Sequence, residues 1–549
     1  MDRSIARLLD ATGISRRDLL RTLGVAGGGI ALAGTAAGSL AAGVGNNRVQ
    51  LELHQSDSSD RPELIVGVAA LLANLDPGQG GASSIAGSRI SPLFVDSLLD
   101  VDFRASDPPG SGSTIIPALA ESWTRIDDLT MEVKLREGVL FHDGTPLTAD
   151  DVKFTIDRVI DPAADPKFAV VKIAFQTYAS VEVIDPLTLR IVTKSPDSVL
   201  EMRLATLQIV SKAAAESMGL DAFALKPIAA GPYKVLEYVA GDHLTVESFD
   251  DYWGGLPPFS KVTVRAIPEV ATRMAAILSN EVQIVTDVTP DQIASLQADS
   301  AIRVDSVPTS NAHFFFYNTT MPVLADKRMR QGLNLAVDRQ LLVDTLWMGN
   351  SQVMNSYQIP EWGAMYNPDR ALPGYDPEQA KALIEASGYD GTEIKFRVPS
   401  TYYTLGADAA QAVVSMWQEV GVNATVELND DPHSDKPNLM VCFWSAGLMP
   451  NDPTLTFSNL WAPGGEIQTY FWTPSTPTFN ESLELLTSSL DQEVRCATYQ
   501  EILDSWEDEA PSLLLYRVNS MYAQQTTVGW TPYATFEMDL SPKNINPAS

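Results

Sequence analysis

Strand-like and helix-like patterns alternate along almost the whole chain after about residue 60, with no long linker and no low-complexity segment. Leu64–Val68 is a short apolar run typical of a buried strand, and Glu132–Leu135 alternates as a half-exposed strand does. Val337–Leu346 and Pro377–Ser387 have helical spacing, and Gly388 follows the second as a C-cap. The pattern predicts a large mixed α/β protein with several sheets, and 549 residues suffice for two or three domains.

The charge balance excludes one class of partner. Acidic side chains outnumber basic ones by 69 to 38, which gives a formal net charge of −31. A surface of this sign repels the phosphates of nucleic acids and the headgroups of anionic lipids. We therefore expect no nucleic-acid partner.

The N-terminal segment has the pattern of an export signal. Arg16 and Arg17 form a twin-arginine pair, and Thr22–Asn47 is an uncharged run that is rich in Gly and Ala. We expect residues 1–47 to be a Tat-like signal peptide with a small-residue linker, which places the mature protein in the periplasm or elsewhere outside the cytoplasmic membrane. An uncleaved membrane anchor is the alternative, although Gly and Ala insert into a bilayer less favourably than Leu or Ile.

Two cysteines, Cys442 and Cys496, are present in the whole chain. An oxidising compartment permits a disulfide between them. Free cysteine is also among the most buried residue types, so two separate buried thiols are the favoured interpretation.

One stretch contains the residue types of an acid–base site. His142 stands directly before Asp143, and Asp150 and Asp151 follow within ten residues. Gly144 and the proline after it give this stretch turn chemistry, and Thr148 is an N-cap with two carboxylates in the first helical turn. An apolar stripe follows at helical spacing: Val152, Ile156, Val159 and Ile160. We interpret the stretch as a turn and a capped helix, not as a catalytic site.

The same stretch, Leu135–Val152, carries a family resemblance. Seven other segments match the family in the same order: Asn74–Pro77, Ile116–Trp123, Gly231–Val235, Tyr252–Gly255, Asp326–Arg339, Tyr375–Lys381 and Glu509–Tyr516. With these motifs the chain resembles the peptide/nickel family (family 5) of ABC-transporter solute-binding proteins over about residues 62 to 540.

The resemblance implies a periplasmic-binding-protein-like fold of the cluster C type, in which two lobes are joined by hinge strands and an extra subdomain is added. The expected hinge strands lie near His313–Asn318 and near Ser505–Leu515. The expected boundaries are 62–105 with 230–313 and 505–549 for lobe I, 106–229 for the extra subdomain, and 314–504 for lobe II.

The resemblance also implies a function without covalent chemistry. A solute that enters the cleft between the lobes stabilises the closed state, which the permease of an ABC importer recognises. We expect a monomeric receptor that is not an enzyme and that needs neither cofactor nor metal. The alternative is a secreted α/β hydrolase with paired carboxylates. The sequence contains no G-x-S-x-G or H-E-x-x-H motif, and its five histidines are scattered.

The expected ligand site rests on the same resemblance. Peptide-binding members carry a Trp-x-x-Asp segment whose carboxylate holds the amine of the peptide, and here Trp444 fits the aromatic position while Gly447 replaces the acid. The arginine that dipeptide binders carry in the segment matching Val398–Tyr403 is absent. The predicted ligand-binding residues are Trp444, Ser445, Gly447, Tyr402, Tyr403, Asp452 and Tyr516.

Two interpretations of the ligand remain open at this point. Tyr402, Tyr403 and Trp444 offer flat faces and polar hydrogens that suit a sugar-like or opine-like compound. Alternatively, the two tyrosines pack in the interior and Asp452 replaces the lost carboxylate of a peptide binder. The apolar run Phe314–Tyr317 is interpreted as a core strand, with an aromatic ligand box as its alternative.

Overall fold

The computed structural model describes residues 61–79, 84–104, 114–161, 164–172, 175–400, 402–449 and 451–545. The expected signal segment, residues 1–47, lies outside these residues. None of the helices in the described ranges is long and apolar enough to cross a membrane.

Sixteen strands occur in the described residues. They are β1 Glu63–Val68, β2 Leu99–Asp102, β3 Thr114–Pro117, β4 Ala120–Arg125, β5 Thr130–Leu135, β6 Tyr178–Asp185, β7 Thr188–Thr193, β8 Tyr233–Val239, β9 His243–Ser248, β10 Lys261–Ala266, β11 Ile284–Val285, β12 Ile302–Tyr317, β13 Ile394–Val398, β14 Ala424–Leu428, β15 Val441–Gly447 and β16 Ser512–Gln525.

Seventeen α-helices occur in the same ranges. They are α1 Ile85–Ile90, α2 Ala149–Ile160, α3 Ala169–Lys172, α4 Leu200–Ala205, α5 Lys212–Met218, α6 Leu220–Leu225, α7 Val270–Leu278, α8 Ile293–Gln297, α9 Pro322–Ala325, α10 Lys327–Leu335, α11 Arg339–Thr345, α12 Pro377–Ala386, α13 Gly406–Glu419, α14 Thr454–Leu460, α15 Glu466–Tyr470, α16 Thr478–Ser488 and α17 Gln492–Glu509.

Ten strands form one large mixed sheet in the order β14-β13-β15-β12-β16-β11-β1-β10-β9-β8. Two long antiparallel strands, β12 and β16, lie side by side within it. The C-terminal part of β12 pairs with β15, whereas the C-terminal part of β16 pairs with β11. Both long strands therefore run through the middle of the sheet and connect its two halves.

The central strand β12 is apolar because both of its faces are covered. Phe315 and Tyr317 belong to one core cluster, and Phe314 and Phe316 belong to another on the opposite face. All four rings are fully buried. A strand that is covered on both faces reads as an unbroken apolar run, so the core-strand interpretation of this segment is confirmed.

The stretch with the acid–base residue types forms the predicted turn and helix. The Asp151 carboxylate accepts hydrogen bonds from the Thr148 backbone N–H and hydroxyl at 3.0 and 2.9 Å. The imidazole Nε2 of His142 lies 3.1 Å from the carbonyl oxygen of Gly231. Burial lowers the pKa of His142 to about 4, so its ring is neutral at physiological pH. These side chains stabilise the packing of α2 on the four-stranded sheet β4-β5-β7-β6.

Two details differ from the sequence-based expectations or decide between them. Both cysteines are free, Cys442 being buried and Cys496 half-buried, so the disulfide alternative is wrong. Helix α17 continues to Glu509, and the strand that was expected near Ser505–Leu515 begins only at Ser512.

Candidate functional site

Two adjoining cavities lie beside the central strands. The larger has a volume of about 790 Å³ and the smaller about 240 Å³. Five residues line both of them: Ile85, Asn311, Tyr402, Tyr403 and Phe536. The larger cavity is in the size range of sites for small organic molecules.

Segments that are distant in the sequence form the walls of the larger cavity. One part comes from α2, β6 and α4, a second from the end of β15 and from α14, and a third from residues 535–537 near the C-terminus. Strand β12 contributes Ser310 and Asn311 between them. The cavity therefore depends on the tertiary structure of most of the described chain.

A break in strand β12 places these two residues at the cavity. Its pairing with β16 shifts register between Pro308 and Ala312. The Arg517 guanidinium stabilises the break, because its Nε donates to the Thr309 carbonyl at 2.7 Å and its two terminal nitrogens bind the Glu361 carboxylate at 3.0 and 2.9 Å. A bulge of this kind redirects side chains that a regular strand would turn into the sheet interior.

Several polar atoms at the larger cavity have no hydrogen-bond partner within the described residues. They are Asn311 Oδ1, the Tyr178 hydroxyl, Gln208 Oε1, His433 Nε2 and Asn459 Oδ1. Asn311 is only 5% exposed and Tyr178 only 1%. A buried polar atom without a partner costs about 1–3 kcal/mol. A polar solute in the cavity would supply the missing partners.

An aromatic surface stands beside these polar atoms. The rings of His433 and Trp444 stack with centroids 3.9 Å apart and an interplanar angle of 33°. Burial lowers the pKa of His433, which keeps the imidazole uncharged. Tyr402 meets Tyr403 edge to face at 4.8 Å, and Tyr402 remains 48% exposed. The cavity thus combines ring faces with polar atoms.

Five of the seven predicted ligand-binding residues line the larger cavity: Trp444, Ser445, Gly447, Tyr402 and Tyr403. Trp444, Ser445 and Gly447 lie at the end of β15, which is paired with β12. A Cβ atom built on Gly447 has no neighbour within 4 Å, so this position has open space in front of it.

The other two predicted residues line neither cavity. Asp452 is buried, and its carboxylate accepts hydrogen bonds from the Arg495 guanidinium at 2.6 Å and from the Thr454 backbone N–H at 2.9 Å. Tyr516 is fully buried in β16, with its ring centroid 5.7 Å from those of Trp347 and His313. Both residues have structural contacts here, and the structure does not bring them together with the other five.

Sequence reasoning did not identify other residues that line the cavity. Tyr178, Gln208 and Glu537 lie in segments without a motif, so no local pattern distinguishes them. Asn311 did have a signal, because Pro308 stands within the strand pattern three residues before it. Proline within a strand pattern is a known indicator of a bulge.

The sequence model of the bacterial extracellular solute-binding proteins, family 5 (middle), matches residues 114–468. The chain belongs to this family. One relative by sequence is the glutathione-binding protein GsiB of Escherichia coli O1:K1. It is 29% identical over 374 residues, which cover 67% of this chain and 70% of GsiB. The dipeptide-binding protein of Escherichia coli K12 is 25% identical over 439 residues, covering 73% and 80% of the two chains.

Solved structures show the same fold as this family 5 protein. The Helicobacter pylori protein DppA in complex with the peptide STSA has a TM-score of 0.78 at 21% identity, and the match covers 89% of this chain and 99% of DppA. AgaA from A. tumefaciens R10 in complex with agropinic acid has a TM-score of 0.77 at 22% identity, with the same coverage. The predicted family and fold class are therefore confirmed, and the hydrolase alternative has no support.

Proposed function

We propose that this family 5 protein is the solute receptor of an ABC importer and that a small polar organic compound binds in the larger cavity. The observation that carries the proposal is the coincidence of the stacked Trp444 and His433 rings with buried polar atoms that have no protein partner. Such a cavity can hold a polar solute by ring contacts and by hydrogen bonds at the same time.

The proposed mechanism is closure of two lobes about β12 and β16. We assign lobe I, the extra subdomain and lobe II to the ranges that the family resemblance implies. A solute that contacts both sides of the cavity has a higher affinity for the closed state, and that difference in affinity shifts the population toward it. The permease would recognise the closed form. Export through the twin-arginine pathway and a monomeric state remain predictions.

The proposed solute is a small polar compound, either opine-like or sugar-like or a peptide that is held by contacts other than a carboxylate at position 447. Gly447 provides no carboxylate for an amine, and Asp452 already binds Arg495. GsiB and the dipeptide-binding protein are named for glutathione and dipeptides, and AgaA was solved with agropinic acid. This range of compounds defines the mixture that should be tested first.

A retention experiment tests the proposed function. The refolded, ligand-free protein is incubated with a defined mixture of dipeptides, tripeptides, their N-acetylated counterparts, glutathione, agropinic acid and maltose. Gel filtration removes unbound compounds, and mass spectrometry identifies what the denatured protein releases. We expect about one equivalent of one compound, chemically unchanged. Retention of none, or conversion of a compound to products, would contradict a receptor function.

The variant Gly447→Asp tests the class of the solute. The new carboxylate has room, but an opine-like or sugar-like solute would bury it without a partner, which should weaken binding about tenfold or more in calorimetry. Gly447→Ala is the matched control and should bind as the wild type does, since a Cβ meets no neighbour there. Tighter binding to the Asp variant would instead place an amine of the solute beside this position.

A further inference from the structure

The basic residues that line the larger cavity are already neutralised by the protein. Arg158 donates two hydrogen bonds to the Asp76 carboxylate, at 2.8 and 3.1 Å. The Arg203 Nε donates to Asp197 at 2.7 Å. Both acidic partners are fully buried. These pairs leave little net positive charge to attract an anionic group of a solute.

One of the two carboxylates that line the same cavity is neutralised as well, and the other is not. Glu466 pairs with Lys436 at 2.5 Å. Glu537 forms no ion pair with any described residue. The lysine that acts on it electrostatically, Lys543, is bound by Asp100 at 2.5 Å and lies 3.4 Å from Asp539. Of the two carboxyl groups that line the cavity, Glu537 is thus the one without an ion-pair partner among the described residues.

The surroundings of Glu537 are rich in acidic groups. Lys543 lies within ion-pair distance of Asp100 and Asp539 and acts on Glu537 only electrostatically, and Asp96 nearby accepts a hydrogen bond from the Trp253 indole at 2.6 Å. Burial and then the charge of Asp100 raise the pKa of Glu537 to about 8, while Lys543 lowers it. Near neutral pH the carboxyl group therefore holds a proton, and a cationic group placed beside it would lower its pKa and favour the carboxylate form.

A second observation does not depend on the acidic residues. Two side-chain oxygen atoms that can accept a hydrogen bond, but receive none from the described residues, line the same cavity. Asn311 Oδ1, on a side chain that is only 5% exposed, and Gln208 Oε1 lack partners among the described residues. The Gln208 amide nitrogen is already used, because it donates to the Ser91 hydroxyl at 2.9 Å. Ammonium and guanidinium groups carry only donors. Unused acceptors together with an acidic side chain that has no ion-pair partner match such a group.

We propose that Glu537 forms an ion pair with a cationic group, an ammonium or a guanidinium, on the bound solute. The inference rests on the proposed function, since it names the charge of the compound that the larger cavity holds. It assigns the charge-bearing contact to the C-terminal segment, on a different part of the cavity wall from Gly447 on β15. A charge-assisted hydrogen bond of this kind is stronger than a neutral one and gives specificity for charge.

The variant Glu537→Gln tests the proposal, because it keeps the shape of the side chain and removes its charge. The probes are the same mixture of free and N-acetylated peptides, glutathione, agropinic acid and maltose. We expect the wild type to retain compounds that carry an ammonium or guanidinium group. Glu537→Gln should bind the retained compound at least tenfold more weakly in calorimetry, whereas the exposed control Glu216→Gln should bind it as the wild type does.

The thermal stability of the ligand-free protein gives a second readout. Glu537→Gln is expected to lose affinity for the solute but to gain thermal stability at high pH. The pKa of Glu537 is raised from an ordinary value of 4.5 to about 8, so its contribution to stability is lost as the pH rises through that interval. Relative to the wild type, Glu537→Gln should therefore gain thermal stability as the pH is raised from 5 to 9. Asp96, Asp100, Asp539 and Lys543 face the same region and are present in both proteins, so the difference between the two pH profiles reports the charge of Glu537 together with its coupling to these groups.

The outcomes separate this inference from the proposed function. If the retained compound has no cationic group, or binds equally to wild type and Glu537→Gln, the ion-pair proposal is overturned while the receptor function stands. A variant that loses stability at every pH and keeps its affinity would show that Glu537 is a packing residue, which also overturns the proposal. Retention of no compound by the wild type would contradict the proposed function and, with it, this inference.

Discussion

Replacing Trp444 with alanine should weaken solute binding by about ten- to a hundredfold. The ring lines the larger cavity. It is held in place by stacking on His433 and by packing against Phe316, whose ring centroid lies 5.6 Å from its own. Loss of a solute face stacked on an indole removes contact area worth roughly 1.5–3 kcal/mol. Isothermal titration calorimetry with the recovered compound measures the change directly.

Two controls keep this result interpretable. Trp444→Phe preserves an aromatic face and should recover part of the affinity. Tyr375→Ala removes a ring that is 51% exposed and lines neither cavity, so it should leave the affinity unchanged. A folded Trp444→Ala protein with wild-type affinity would show that the solute binds elsewhere.

Replacing Asp452 with alanine should destabilise the protein by about 3–5 kcal/mol without changing solute affinity more than about threefold. Arg495 is only 5% exposed, and the variant leaves its guanidinium buried without its anionic partner. Breaking a buried pair by removing one member has this order of cost. Chemical denaturation measures the stability, and calorimetry below the unfolding transition measures the affinity.

A double variant and a surface variant test the cause. Asp452→Ala combined with Arg495→Met leaves no unpaired charge and should recover part of the lost stability. Glu378→Ala breaks an exposed pair with Lys381 and should cost less than about 1 kcal/mol. If Asp452→Ala instead lost affinity while keeping its stability, Asp452 would be a ligand residue that supplies the carboxylate missing at Gly447.

The sequence predicted those parts of the fold that are set by local patterns. The capped helix after Thr148 and the buried strand through Phe314–Tyr317 could both be predicted from the sequence, because capping chemistry and an unbroken apolar run are local signals. The helix expected at Val337–Leu346 starts later, at Arg339. Asp338 caps it by accepting the Leu341 N–H at 2.9 Å, while Val337 is buried outside the helix.

The candidate site was only partly predictable, because it is assembled by tertiary contacts. The end of β15 was found through its resemblance to a known motif. The structural contact of Asp452 depends on Arg495, which lies on a separate helix and has no sequence signal that connects the two. The exposed ring of Tyr402 and the open space at Gly447 likewise become visible only when the strands around β12 are in place.

A crystal structure of the protein with the compound recovered in the retention experiment tests the central claim most directly. The account predicts electron density for that compound in the larger cavity, with one face on the Trp444 ring and polar atoms within hydrogen-bond distance of Asn311 and Tyr178. Density for the compound outside this cavity, with these side chains still unpartnered, would contradict the account.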